Sequence, residues 1–214
     1  MSRGCAEVAR ALLRLAIQAF PLKRVLWLQS IQLEEKFGDF HSLNTVLAEA
    51  TEKVPRLEIF WLMRAKHQWK KGNIEGARNI LSLAFGTNPS SEGVWLAAAR
   101  IEQESGEIER ARALLERARK EAPSARVFMK FALLERDNGS VQLALELVDD
   151  GIQLYPNYEK FYLIGIQISS VLMETDADIL LRARKYYKVG IDRCPSCYSL
   201  WILASRLEET APGL

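Results

Sequence analysis

Cys194 and Cys197 enclose Pro195 and Ser196 in a C-x-x-C spacing. That spacing suits a redox pair or one half of a zinc site. A structural zinc centre takes four ligands, and the remaining candidates, Cys5, His41 and His67, stand far away along the sequence. A redox motif expects a strand-to-helix context, whereas this one straddles the boundary between two helical patterns. Pro195 and Ser196 therefore read as a turn and a cap, with incidental cysteines. His41 and His67 each lack an acid or cysteine partner at catalytic spacing. No glycine-rich phosphate loop and no H-E-x-x-H occurs, so nucleotide and zinc-protease chemistry have no support. No catalytic, cofactor-binding or metal residue is expected, and the chain reads as a non-enzyme.

Clustered cations are the other candidate chemistry. Arg110, Arg112, Arg117, Arg119 and Lys120 interleave with Glu107, Glu109, Glu116 and Glu121. Pairs such as Glu116–Lys120 stand at i, i+4 spacing, which reads as a solvated, salt-bridged face. Lys66, Lys70 and Lys71 form a richer patch, as do Arg182, Arg184, Lys185 and Lys188; RNA or an acidic partner segment is the candidate ligand of either. The formal charge of +2, from 29 basic and 27 acidic residues, argues against a dedicated nucleic-acid binder, which carries a concentrated basic excess. Direct RNA contact is therefore expected to be minor. No run of 18 apolar residues predicts a membrane span, and Glu7, Arg10 and Arg14 interrupt any targeting core near the start. Three cysteines imply no disulfide framework and a reducing compartment.

What must position these residues is a repeat. Trp27, Trp61, Trp95, Phe128, Tyr162 and Trp201 follow one another at intervals of 34, 34, 33, 34 and 39 residues. Such a period marks a stacked helical-hairpin array. A proline precedes each aromatic: Pro21, Pro55, Pro89, Pro123, Pro156 and Pro195. Proline ends a helix cleanly, and the residue after it, Ser90, Ser124, Asn157 or Ser196, is a candidate N-cap. Gly38, Gly72, Gly106 and Gly139 stand eleven residues after the first four aromatics, where a left-handed cap would close the first helix. Asp39, Asn73, Glu107 and Ser140 then open the second. Seven residues after the aromatic stands Glu34, Gln68, Glu102, Glu135, Ser169 or Glu208. Small residues at Ala50, Ala84, Ala118, Gly151 and Gly190 let neighbouring helices approach, and the aromatic fills the space between hairpins.

Apolar spacing of three and four, as in Val94, Trp95, Ala98 and Ile101, buries one face of each helix. The fold class is all-α: a right-handed α-α superhelical solenoid. The layout predicts a single array over 1–210, with a half unit at 5–20, units at 22–55, 56–89, 90–123, 124–156 and 157–195, and a half unit at 196–210. About five extra residues near Met173–Ile179 predict an enlarged turn at Glu174, Thr175 and Asp176.

The Leu-Gly and Tyr positions of ordinary tetratricopeptide repeats are missing. An aromatic, an acid seven residues on and a closing proline resemble half-a-tetratricopeptide repeats instead. The stretches Phe60–Lys66, Ala77–Phe85, Val94–Ala98, Glu109–Leu115, Ala125–Lys130 and Leu200–Glu209 are similar to the C-terminal repeats of the pre-mRNA processing factor 6 family. The likeness covers roughly residues 20–209, is most specific between Ile59 and Lys130, and weakens from Ser140 to Leu181. It implies a nuclear, non-catalytic scaffold that helps join the U5 particle to the U4/U6 particle, with proteins of those particles as partners. It also implies that the chain is one portion of a longer protein.

A second reading is a groove that captures peptide tails, as a co-chaperone or adaptor does; Arg64, Lys66 and Arg100 are its suggestive residues. The unpaired last helix predicts that Trp201, Leu203 and Leu207 lack cover and that the chain self-associates there.

Overall fold

The computed structural model describes residues 3–170 and 177–210. Among these, twelve α-helices follow one another and no strand occurs, the all-helical repeat fold that the periodic tracks demand. They fall into two compact units, Met1–Ser105 and Gly106–Leu214. The first holds α1 (Arg3–Ala19), α2 (Arg24–Phe37), α3 (Phe40–Lys53), α4 (Glu58–Lys70), α5 (Ile74–Thr87) and α6 (Glu92–Glu104). The second holds α7 (Ile108–Glu121), α8 (Ala125–Asp137), α9 (Val141–Leu154), α10 (Glu159–Ser170), α11 (Ala177–Arg193) and α12 (Tyr198–Thr210). Within each unit every helix packs on the next in sequence, and α10 also packs on α8 and α12. Even-numbered helices carry the repeat aromatics; odd-numbered helices carry the small residues.

The turns before the even-numbered helices explain the proline track. Lys23, Leu57, Ser91, Tyr158 and Cys197 each donate their amide to the carbonyl three residues back, at 3.0–3.1 Å. Proline is the second residue of each four-residue turn, the place its fixed φ suits. The turn consumes one residue more than a simple proline-then-cap junction. The side chain that caps α6 is therefore Ser91, accepting from the Val94 amide at 3.1 Å, and not Ser90. Asn157 and Ser196 likewise lie inside turns, two residues before α10 and α12 begin. Only Ser124 caps directly after its proline, taking the Val127 amide at 3.2 Å; this repeat interval is the one of 33 residues.

Just after α4, α6 and α8, Gly72, Gly106 and Gly139 have φ of +79°, +79° and +83°, a region that costs side-chain-bearing residues dearly. At Gly72 the next amide, Asn73, reaches back to the Gln68 carbonyl at 3.1 Å while Gly72 itself reaches Trp69 at 2.9 Å, the paired closure of a helix end. Gly38 departs from the expectation. Its φ is −90°, so no left-handed turn requires it. A side chain there would instead strike the Glu34 carboxylate and the Ser42 hydroxyl. Asp39 caps α3 in a reciprocal box with Ser42, and those amide and hydroxyl donors, the backbone one foremost, hold its carboxyl below the ordinary range.

In the first unit Trp27, Ile31, Leu43, Leu47, Ala50 and Phe60 form one buried cluster. In the second, Val127, Phe131, Leu145, Val148, Phe161 and Ile166 are buried. Ala50, Ala84 and Ala118 are fully buried. At Gly151 even a methyl group would overlap the Phe161 ring, with Cζ at 2.5 Å. The residues expected to enlarge the turn, Glu174, Thr175 and Asp176, lie outside the described residues.

Candidate functional site

Each repeat aromatic does more than fill space. The indole N–H of Trp27, Trp61 and Trp95 donates to the carbonyl of the proline six residues earlier, at 2.7, 2.8 and 2.8 Å. The Tyr162 hydroxyl does the same to Pro156 at 2.8 Å, and Trp201 to Pro195 at 3.4 Å. The side chain thereby staples its own helix to the turn that precedes it, and satisfies its one polar atom in doing so. Phe128 has no donor and stands five residues after Pro123; the Arg119 guanidinium lies over its ring at 4.8 Å instead. Trp27, Trp61, Trp95, Phe128 and Tyr162 are buried, while Trp201 is 55% exposed.

A polar ladder runs beside the staples. From every odd-numbered helix but α9 a side chain meets the acid-track residue of the next even-numbered helix. Arg10 holds Glu34 with two bonds of 2.8 and 3.2 Å. Arg78 holds Glu102 at 2.8 and 2.6 Å, Arg112 holds Glu135 at 2.6 and 2.8 Å, and Arg184 holds Glu208 at 2.9 and 2.7 Å. Such forked pairs are the strong class of charged hydrogen bond, and the bonds to the carboxylates push each arginine upward. Arg184, and then the Tyr187 hydroxyl, hold Glu208 below the usual carboxylate range. One rung is neutral, Gln68 donating to Asn44 at 2.6 Å. At the remaining one Leu145 and Ser169 are buried and the Ser169 hydroxyl has no partner. Charge in that neighbourhood is carried by Asp149, which accepts from Arg182 at 2.5 Å and from Tyr186 at 2.8 Å. Sequence reading lists the acids but misses their arginines. The signal was present: each stands 24 or 23 residues before its acid.

The C-x-x-C proves to be one more proline turn, Cys197 donating to the Cys194 carbonyl at 3.0 Å. Its cysteines occupy the places held by Val54 and Leu57 in an earlier turn. Both are buried free thiols; burial first, then Glu159 and Cys197, pushes the Cys194 thiol up, and its Sγ faces the Asn157 carbonyl at 3.6 Å. Among the described residues no group of three or more His, Cys, Asp or Glu gathers as a metal ion would require. His67 is half-buried, stacked on Phe40 at 4.3 Å and bonded to the Phe40 carbonyl at 3.1 Å; His41 is exposed.

Arg64 is half-buried; it donates to Thr51 at 2.9 Å, and burial lowers its pKa. Arg100 pairs with Glu104 at 2.7 Å and lies over Trp69 at 5.7 Å. Lys66 and Lys70 are exposed, and Lys71 sits over Phe40 at 5.3 Å. Apolar side chains are exposed at several places, and at two of them they cluster. Val8, Leu12 and Leu15 make an exposed stripe on α1, and Tyr198, Trp201 and Ile202 a patch on α12. Leu207, expected to be uncovered, is 3% exposed, because it turns toward the packed face of α12.

Comparison with known proteins agrees with this geometry. A tetratricopeptide repeat family model matches residues 68–134. By fold, the MamA protein superposes with a TM-score of 0.55 and 17% identity, over 79% of this chain and 90% of its own. YrrB, a TPR protein with an unusual peptide-binding site, does so at 0.54 and 12% identity, over 91% of this chain and 97% of its own. By sequence, pre-mRNA-splicing factor prp1 of Schizosaccharomyces pombe is 41% identical over 209 residues, which is 98% of this chain and 22% of that protein's length. The chain is thus an all-helical repeat protein, matched by the tetratricopeptide repeat model over residues 68–134 and similar in sequence to one stretch of a splicing factor.

Proposed function

We propose that the chain is a non-catalytic, nuclear protein-interaction scaffold of pre-mRNA splicing that helps assemble the U4/U6·U5 particle. The observation that carries this reading is the 41% identity to prp1 across 98% of the chain. Repeat arrays bind through extended surfaces rather than through a reaction centre, and the forked arginine–glutamate pairs described above are engaged in holding helices together. The repeat units at 22–55, 56–89, 90–123, 124–156 and 157–195 are its modules and act as one array. The aromatics, glycines and prolines that recur in them are structural positions, not contacts to a partner. Among the described residues no helix is long and apolar enough to cross a membrane.

The test is to tag the protein in cells and sediment nuclear extract, probing each fraction for U5, U4 and U6 RNA. Co-sedimentation with the joined particle is expected. Recovery with cytosolic chaperones alone would favour the peptide-tail adaptor and overturn the scaffold. The exposed patch of Tyr198, Trp201 and Ile202 is proposed to mediate self-association of the isolated chain.

A further inference from the structure

Within the second unit, the backbones of α9 and α11 each pack on α10, and the two helices meet each other through side chains. An open groove runs between them, formed by two cavities of about 210 and 680 Å³ that share Asp149, Lys185 and Val189 as walls. Its floor is sealed electrostatically. Asp149 accepts from Tyr186 and Arg182, and Arg182 donates a further bond to the Tyr186 hydroxyl at 2.9 Å. The one acid lining the groove is therefore already satisfied. At the rim, Arg184 is taken by Glu208. Leu181, Lys185, Lys188 and Val189 follow at spacings of four, three and one, which puts them on one face of α11. Leu181 is 67% exposed. Lys185 and Lys188 are exposed and make no ion pair among the described residues, although Lys188 adds at longer range to the field that holds Glu208 low. The result is two exposed cations that make no ion pair among the described residues, beside an aliphatic strip of Leu181, Val189 and Ile152. It differs from α7, where Glu109 and Glu107 answer Arg112 and Arg110.

We propose that this groove docks an acidic peptide segment that also carries aliphatic side chains. Lys185 and Lys188 take its carboxylates; Leu181, Val189 and Ile152 take its apolar groups. Charge complementarity selects an anion, and the aliphatic strip selects a peptide over a nucleic acid. Single strands of RNA are held largely by stacking on aromatic faces, and the two aromatics lining the groove, Tyr162 and Tyr186, are 0% and 3% exposed. The proposal shares with the scaffold reading only that the ligand is a protein.

The test is fluorescence anisotropy on the purified chain with three labelled probes: a peptide alternating acidic pairs with leucine, the same peptide with serine for leucine, and oligouridine. The leucine-bearing acidic peptide is expected to bind tightest. The double variant Lys185→Glu/Lys188→Glu should weaken it about tenfold or more, the range of a lost charge pair at an interface. Leu181→Ser should weaken it about threefold. Both variants alter exposed side chains, and circular dichroism should show an unchanged melt. Equal binding by the charge-reversed chain, equal affinity for the serine peptide, or tighter binding of oligouridine would each overturn the proposal. Particle association is read by sedimentation, so failure of either idea is separable from the other.

Discussion

Glu135 is fully enclosed, whereas the Arg112 side chain that grips it keeps 28% of its surface open. The two halves of this rung are therefore unequal. Arg112→Met would strand a buried carboxylate and should cost about 3 kcal/mol. Glu135→Gln leaves an arginine that can turn toward water and Glu109, and should cost about 1 kcal/mol. Thermal melts decide the order, and acidification should restore the Arg112→Met chain selectively, because protonating the stranded carboxylate removes the buried charge. The staples admit a second comparison. Trp95→Phe deletes the bond to Pro89 and part of the buried ring and should cost about 1–3 kcal/mol; Trp95→Ala opens the larger cavity and should cost about 3–5 kcal/mol. Equal melts for the two would mean that burial contributes nothing at that position. At this scale the sequence shows which aromatics and acids recur but not what they touch. Local spacing pairs Arg112 with Glu109, a pair that does form. Its stronger partner lies in the next helix, visible only when the repeat phase is applied to arginines as well as to acids.

Among the elements, two glycines that look alike in sequence resist substitution for different reasons. Gly72 has open space around a would-be Cβ but a φ of +79°, so Gly72→Ala should cost about 1 kcal/mol through backbone strain alone. Gly151 sits within a helix against the Phe161 ring, so Gly151→Ala forces α9 and α10 apart and should cost about 1–3 kcal/mol through overpacking. Replacing Phe161 by Leu as well should recover stability only in the second case. The docking of α12 on α11 carries a pH signature. Glu208 is held below its ordinary range in the folded chain, so its contribution is present above the usual carboxylate pKa and is lost as pH falls below that value through the depressed pKa of the folded state. Amide protection factors in α12, relative to the intrinsic exchange rate at each pH, should fall on acidification, and Glu208→Gln should flatten that dependence. Helix order and type were legible because the apolar stripes and prolines repeat. Cap positions were displaced by one residue because a proline turn spends two residues where a simple junction spends one. Gly38 was misread because its place in the period suggested a left-handed turn, while its actual constraint, the approach of Glu34 and Ser42, leaves no local trace.

For the molecule as a whole, Trp201 at 55% exposure beside Tyr198 and Ile202 gives an apolar patch of the kind that drives association. Sedimentation of the isolated chain should depend on concentration, and Trp201→Glu should weaken self-association about tenfold; a chain monomeric at every concentration would refute this. Nearest-neighbour architectures carry a hazard of their own, since similar hairpins compete for the same berth and misassemble. The ladder distinguishes the berths. Its rungs use different chemistries, Arg with Glu on α1–α2 and α5–α6 but Asn with Gln on α3–α4. Were α3 to dock on α6, Asn44 would meet Glu102 and leave a carboxylate interred without its cation. Were α5 to take the place of α3 beside α4, Arg78 would meet only the Gln68 amide. The neutral rung thus works as a lock cut to a different key, and exchanging it for another arginine–glutamate rung should speed misfolding even where it strengthens the native pair.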